Sequence, residues 1–410
     1  MELLYKHCAG IDVHQKSVSV CVLTPGPTAT SDPQTTIQQF GTRTADLLAL
    51  ADWLAKLSVT HVAMESTGVY WKPIWNILEG QFTILLANAQ HIKNVPGRKT
   101  DTADCQWIAQ LLRHGLLKAS FVPPVEIRQL RDLCRTRTTL VREKTSVVNR
   151  LQKVLEDANV KLAAVVTDIM GVSGRAMLKR IIGGEADAEA LAQLARGPMR
   201  KKLAELKSAL MGRITGHHRF LLKHHLEHIE YLDKATAMVA EEIQRQMVPF
   251  QETVSLWRTI PGIEHVACSN LVAEIGVNMH QFPSARHLVS WAGLCPGNYE
   301  SAGKRTSSRI RKANPWLKAV MTQVAWAASH TRNTYLSQQY RRLLTKRGKR
   351  RALVALANTI LTIIWSLATH GTTYRDLGAD YFDRLKGDQA QRYHVRKLEK
   401  MGFKVSIEAA

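Results

Sequence analysis

The feature that most constrains how this chain folds is a change of periodicity about a third of the way along it. From Glu126 to about Met247 no convincing strand appears, while apolar residues recur at helical spacing through Leu130, Leu133, Leu140, Val141, Val148, Leu151 and Leu155. Upstream the pattern is different. Residues Cys8 to Leu23 include the alternation Ser17-Val18-Ser19-Val20-Cys21-Val22 and predict one or two strands, followed by a loop at Pro25 to Pro33. A strand at Thr36 to Phe40, a helical pattern through Leu47, Leu50, Ala51 and Leu54, and a strand at His61 to Met64 come next. Tyr70 to Leu78 reads as helix, Phe82 to Ala87 as strand, and Thr102 to Leu112 as a helix capped near Thr100 or Asp101. Alternating helix and strand predicts an α/β domain over residues 1–122. A long-helix, coiled-coil-like section over 123–250 follows, with breaks at Gly171 to Gly184 and at Arg196-Gly197-Pro198. The remainder, 251–400, is expected to be mostly helical with Gly- and Ser-rich loops.

Charge narrows the partners. Lys and Arg number 56 against 34 Asp and Glu, a formal net charge of +22, which favours a polyanion and makes nucleic acid the first candidate over a merely basic soluble protein. Arg128, Arg131, Arg135, Arg137, Arg142, Lys144 and Arg150 give the first long helix a basic face, suited either to solvent or to phosphates. The six cysteines are widely spaced with no C-x-x-C pair, so they read as reduced cytosolic thiols. No signal peptide is visible at the N-terminus. Ala352 to Thr369 carries no formal charge behind a basic run and imitates a membrane span, but Asn358, Thr359, Thr362, Ser366 and Thr369 interrupt it, and a buried helix is expected. His217, His218, His224, His225 and His228 are expected on the surface of a basic helix with no carboxylate frame, and Trp316, Trp326 and Trp365 in the core.

Four acids fall where the α/β pattern brings residues together. Asp12 lies within the first strand, Glu65 ends a central strand, and Asp101 and Asp104 open a helix three residues apart, hence on one face. Oxygen-only ligands select hard divalent ions, Mg²⁺ or Mn²⁺, which assist phosphoryl transfer by activating the attacking oxygen and stabilising the leaving one. Each acid also has a structural role open to it: Asp101 as a helix cap, Asp104 as a first-turn acid, Glu65 as a loop carboxylate. Asp12 is harder to explain that way, because an acid within an apolar strand loses hydration unless it is paired or metal-bound.

This ordered set resembles the RuvC-like, ribonuclease-H-fold nucleases, and more closely the DEDD transposases of the IS one-ten insertion-sequence family, over nearly the whole chain. The resemblance implies a RuvC-like first domain with Asp12, Glu65, Asp101 and Asp104 as the metal-binding tetrad.

Downstream, Thr259-Ile260-Pro261-Gly262-Ile263 leads into a helical run ending at Gly276, an arrangement similar to a helix-hairpin-helix element in which backbone N–H groups near Gly262 meet a phosphate. After Ala292-Gly293-Leu294-Cys295-Pro296, Ser301 lies in a small-residue loop beside Lys304, Arg305, Arg309, Arg311 and Lys312. Those cations suit a serine that attacks a phosphodiester, and equally one that only donates a hydrogen bond to it. Ser307 and Ser308 are nearby competitors. The resemblance implies that Ser301 is the nucleophile, that the protein works on element ends and target DNA as a dimer or tetramer sharing active sites between protomers, and that a structured guide RNA directs it. The expectation is therefore a cytoplasmic, nucleoid-associated transposase with no membrane partner. The alternatives are a RuvC-like metal-dependent nuclease that hydrolyses without a serine intermediate, and a non-catalytic nucleic-acid-binding protein.

Overall fold

The computed structural model describes residues 3–28, 31–66, 68–89, 92, 104–297, 299–301, 304–307, 309–310 and 313–406; for 299–301, 304–307, 383, 386 and 388–390 only the backbone is described. The chain forms two units, Met1–Pro123 and Pro124–Ala410.

The first unit is built on a five-stranded mixed sheet. Strands β1 (Cys8–Val13), β2 (Val18–Thr24) and β3 (Gln34–Phe40) form an antiparallel meander; helix α1 (Thr44–Lys56) then crosses to β4 (His61–Glu65), and α2 (Trp71–Leu78) to β5 (Thr83–Ala87). The strand order is β3-β2-β1-β4-β5, with β4 parallel to β1 and β5 parallel to β4. Strand alternation divides the side chains between two layers. Ala9, Ile11, Val13, Val18, Val20, Val22, Val62 and Met64 pack against Leu47, Leu50 and Leu54 of α1 and Ile74 and Leu78 of α2. Cys8, Cys21, Leu23 and Ala63 face the opposite way, against Cys105, Ile108, Ala109 and Leu112 of α3 (Asp104–Arg113). The central strands are apolar on both sides because both faces are covered. β3 is an exposed edge, and its Gln- and Thr-rich sequence suits that position.

The second unit is mostly helical. α4 (Val125–Asp157) runs antiparallel to the 31-residue helix Gly216–Gln246, as shown by contacts of Asp157 with His218 near one end and of Lys144 with Asp233 further along. Between them in sequence lie α5 (Leu162–Val165), α6 (Val172–Ile182), α7 (Ala188–Ala192) and α8 (Leu203–Leu210), so Gly216–Gln246 is α9. The pair of long helices serves two cores. Val147, Leu151, Leu155, Leu222, Leu226, Ile229 and Leu232 join α5–α8 in one. Ile127, Leu130, Ile243 and Met247 join the C-terminal helices in the other.

The expected break at Gly171 to Gly184 is instead helix α6. Gly171 and Gly183 bound the helix, and Gly174 lies within it where a Cβ would fall 2.2 Å from the carbonyl oxygen of Ile169, so close packing rather than chain reversal accounts for that glycine.

The C-terminal region comprises α10 (Gln251–Arg258), α11 (His265–Ile275), α12 (Ala285–Trp291), the hairpin β6 (Tyr299–Ser301) and β7 (Lys304–Ser307), and helices α13 (Pro315–His330), α14 (Tyr335–Arg347), α15 (Lys349–His370) and α16 (Tyr381–Lys400). α15 is long and apolar enough to cross a membrane. In the fold, Ala352, Leu356, Ala357, Ile360, Leu361 and Ile364 are fully buried in the C-terminal core, each contributing about 1–3 kcal/mol by leaving water. Two expectations fail here. Trp326 is 43% exposed, under Lys349 Nζ at 4.7 Å from its ring centroid, since it occupies the outer face of α13, and Trp316 is half-buried outside the core, beneath the guanidiniums of Arg135 and Arg142 at 5.5 and 5.0 Å. His218 and His228 do meet carboxylates, Asp157 at 2.9 Å and Glu143 at 3.7 Å, supplied by the antiparallel partner helix α4.

Candidate active site and the family of the chain

Asp12 lies near the carboxyl end of β1. The β1–β4 register pairs Gly10 with Ala63 and Ile11 with Met64, so the next row brings Asp12 beside Glu65, which ends β4. Residues in one row of neighbouring strands share a face and lie about 4.8 Å apart along the hydrogen-bonding direction. That face is the one α3 covers. A Cβ on Gly10 would lie 2.2 Å from the carbonyl oxygen of Cys105 and 2.3 Å from the Ala109 nitrogen, and Cys8 Sγ approaches the Ala109 carbonyl oxygen at 3.8 Å. Along β1 from Cys8 to Gly10 the contacts move back along the helix from Ala109 to Cys105. The helix therefore runs opposite to the strand, with its first residue, the exposed Asp104, at the end of the sheet that carries Asp12 and Glu65.

The electrostatics agree with this placement. Burial pushes the Cys105 thiol above its ordinary range, and the charges of Asp12 and Asp104 push it further in the same direction. Asp12 retains 22% side-chain exposure and its Oδ2 lies 3.0 Å from His14 Nε2. Asp12, Glu65 and Asp104 are thus three carboxylates at one end of one sheet, a donor set that fits a hard divalent ion in kind. Among the described residues, no group of three or more His, Cys, Asp or Glu side chains is close enough to hold a metal ion. Asp101 lies outside the described residues.

The serine segment differs locally from the loop expected of it. Tyr299 pairs with Ser307, Glu300 with Arg305 and Ser301 with Lys304, and a bridge between Pro296 and Ile310 extends the ladder. Ser301 is the last residue of β6 and pairs with Lys304, the first of β7; Ala302 and Gly303 lie outside the described residues. Lys304 and Arg305 begin the return strand. Arg309 follows, exposed, with its carbonyl oxygen accepting from the Gly297 N–H at 2.8 Å. Ser308, Arg311 and Lys312 lie outside the described residues.

Gly262 sits in the turn between α10 and α11 with φ +88°, and a Cβ there would lie 2.7 Å from the backbone nitrogen of Ala328 and 2.8 Å from the Val324 carbonyl oxygen. The glycine is required both by its backbone angle and by the approach of α13. Sequence reasoning missed Gly10 and His14. Gly10 carries a legible signal, a glycine inside a strand where another backbone approaches closely; His14 carries none beyond its nearness to Asp12.

Comparisons with known proteins match these two regions. Residues 9–160, from β1 to just past the end of α4, match a family model of DEDD transposases, IS110 type. Residues 254–341, from α10 into α14 and including the serine hairpin, match the model "Transposase IS116/IS110/IS902 family". The chain is 26% identical over 327 residues to the transposase for insertion sequence element IS1111A of Coxiella burnetii, covering 78% of this chain and 81% of that protein. It is 25% identical over 331 residues to a probable family 20 transposase of Pseudomonas aeruginosa, covering 79% and 88%. A transposase for insertion sequence element IS1328 of Yersinia enterocolitica is 25% identical over 334 residues, covering 80% and 89%. Two family models that together take in more than half of the chain, and relatives aligned along most of their length, lead to one conclusion: the chain belongs to the IS110 family of transposases.

Proposed function

We propose that this protein is a DNA transposase that cuts and rejoins strands with two separate sets of residues, a carboxylate group in a ribonuclease-H-like first domain and a serine in the C-terminal region. The observation that carries the reading is the shared row of Asp12 and Glu65, with the N-terminus of α3 brought over it by Gly10. In this reading Asp12, Glu65, Asp101 and Asp104 hold Mg²⁺ or Mn²⁺, which when bound neutralises charge on the reacting phosphate. His14 Nε2 lies 3.0 Å from Asp12 Oδ2 and in this reading steadies that carboxylate.

Ser301 supplies the nucleophile. Its Oγ attacks the phosphorus, the phosphorus–oxygen bond to the leaving deoxyribose oxygen breaks, and that oxygen takes up the proton the serine loses. The product is a serine–DNA phosphodiester, which a hydroxyl of a second strand reverses to rejoin the DNA. Lys304, Arg305, Arg309, Arg311 and Lys312 offset the phosphate charge during both steps. Gly262 and the turn around it approach a backbone phosphate in the manner of a helix-hairpin-helix element. The carboxylate set and Ser301 act together across protomers of a dimer or tetramer, on element ends and target DNA in the cytoplasm. A structured guide RNA is the partner that selects those sequences, and the +22 net charge suits both polymers.

The test is strand exchange between element-end and target DNA by the purified full chain with Mg²⁺ and the RNA transcribed from the non-coding stretch beside the gene. Asp12→Ala and Glu65→Ala are expected to reduce exchange by ~100-fold or more while circular dichroism stays unchanged, and chelation is expected to silence the wild type. Undiminished exchange in folded Asp12→Ala protein overturns the reading.

A further inference from the structure

The basic face of α4 divides when the chain folds. Arg135 turns inward and donates from Nε and Nη2 to the two oxygens of Glu274, each at 2.8 Å, while Arg131 donates to the carbonyl oxygens of Ala273 and Glu274 at 2.8 and 2.9 Å. Asn314 Nδ2 donates to Glu274 Oε2 at 2.5 Å, so both oxygens of that carboxylate already accept hydrogen bonds.

Arg137 and Arg142 are in a different position. Arg137 is only 9% exposed, and its guanidinium donates to Ser269 Oγ at 3.2 Å, Asn270 Oδ1 at 3.3 Å and the Val266 carbonyl oxygen at 3.5 Å. All three acceptors are neutral. A guanidinium withdrawn from water without an anion is costly and favours acquiring one. Arg142, on the exposed side, stacks on Trp316 with its Cζ 5.0 Å from the ring centroid. Both arginines line a pocket of about 210 Å³ with Arg135, Asn270, Gln323 and Glu274, where three guanidiniums meet one carboxylate whose oxygens are already bonded. Among the described residues no carboxylate bonds to Arg137 or Arg142.

We infer that this pocket receives a backbone phosphate of a nucleic-acid strand. Stacking on Trp316 holds the Arg142 fork in a fixed plane, leaving its N–H edge to grip two phosphate oxygens, and Arg137 supplies a second charge from within. The volume suits a phosphate group and is below the ~300–1,000 Å³ of pockets that enclose a whole small molecule. A mouth bounded by an exposed arginine admits a phosphate carried on a polymer. The inference rests on the reading that this chain acts on nucleic acid, and adds a binding point on α4 apart from the serine hairpin.

The experiment measures binding of the full chain, by fluorescence anisotropy over a salt series, to a labelled DNA duplex and a labelled RNA strand, with inorganic phosphate as competitor. Arg142→Gln and Trp316→Leu are expected to weaken at least one polymer ~5–10-fold, and Arg142→Gln to lower the slope of log affinity against log salt by ~0.7–0.9, the loss of about one phosphate contact. Arg142→Lys, which keeps the charge without the fork, should recover the slope but not the full affinity. If both variants bind both polymers as the wild type does, with unchanged slope, the inference is overturned. It is also overturned if the variants change only the effect of inorganic phosphate, which marks a small-anion site. Strand exchange by the same preparations, with the RNA transcribed from beside the gene supplied, separates the two failures: normal binding by the variants beside active wild type removes the pocket alone, whereas wild type that neither binds nor exchanges removes the recombinase reading with it.

Discussion

Gly10 and Cys105 are in contact through backbone alone: a Cβ on the glycine would stand 2.2 Å from the Cys105 carbonyl oxygen. This contact sets how closely α3 lies on β1, and hence how far the helix's first acid is from Asp12. Gly10→Ala must therefore move the helix outward or strain the strand. The expected destabilisation is about 1–3 kcal/mol or more by urea unfolding, because the obstructing atoms belong to a helix backbone and cannot rotate away. Strand exchange should fall even under conditions where the variant is folded. A variant as stable and as active as the wild type would show that the helix is not held by this contact.

Ser301 ends β6 directly opposite Lys304, whereas Ser307 lies opposite Tyr299 at the far end of the same hairpin. Ser301→Ala is expected to lower the yield of detergent-stable protein–DNA adduct by ~10³ or more, as loss of a nucleophile does, while Ser307→Ala keeps the adduct. Trapping on a suicide DNA substrate and resolving the adduct by gel electrophoresis checks this, and adduct surviving in Ser301→Ala protein would reassign the nucleophile.

Glu274 has a side chain only 3% exposed and receives both arms of the Arg135 fork together with Asn314. Removing one partner leaves buried charge uncompensated, so Glu274→Ala should cost about 3–5 kcal/mol. Asn314 also caps α13 through the N–H groups of Trp316 and Leu317, so the damage should reach the start of that helix. Hydrogen exchange of the α13 amides is the measurement; protection equal to wild type would contradict the coupling.

Burial raises the thiols of Cys8 and Cys134 to about 11 and those of Cys21 and Cys268 to about 12. At pH 8 a thiol with a value of 11 is ionised to roughly one part in a thousand, and the thiolate is the reactive form. Cys295, the cysteine that is not fully buried, should be alkylated first in the native protein. The linkage has a definite sign: the folded state holds these protons more tightly, so the contribution to stability is complete below the unfolded value near 9 and is lost as pH rises toward 11–12. Mass spectrometry after brief iodoacetamide treatment tests the first statement, and unfolding between pH 8 and 10.5 tests the second.

The sequence by itself determined the order and kind of most elements. Strand alternation in Val18–Val22 and helical spacing in Leu130–Leu155 are local properties of the chain, and they led to β2 and α4 at the expected places. It also placed Asp12 within a strand and Glu65 at a strand end. What it could not decide are relations between residues far apart in the chain. The parallel register that sets Asp12 beside Glu65 depends on which strand β4 joins. Whether an arginine on α4 faces solvent, a buried glutamate or a tryptophan depends on which helices pack there; Arg131 and Arg135 went to Glu274, and Arg142 to Trp316. The glycines at 171, 174 and 183 predict a break when read locally, yet bound and fill a helix once Ile169 is packed against Gly174. Periodicity records which face of a segment avoids water, but the identity of the group that covers that face is a property of the assembled chain.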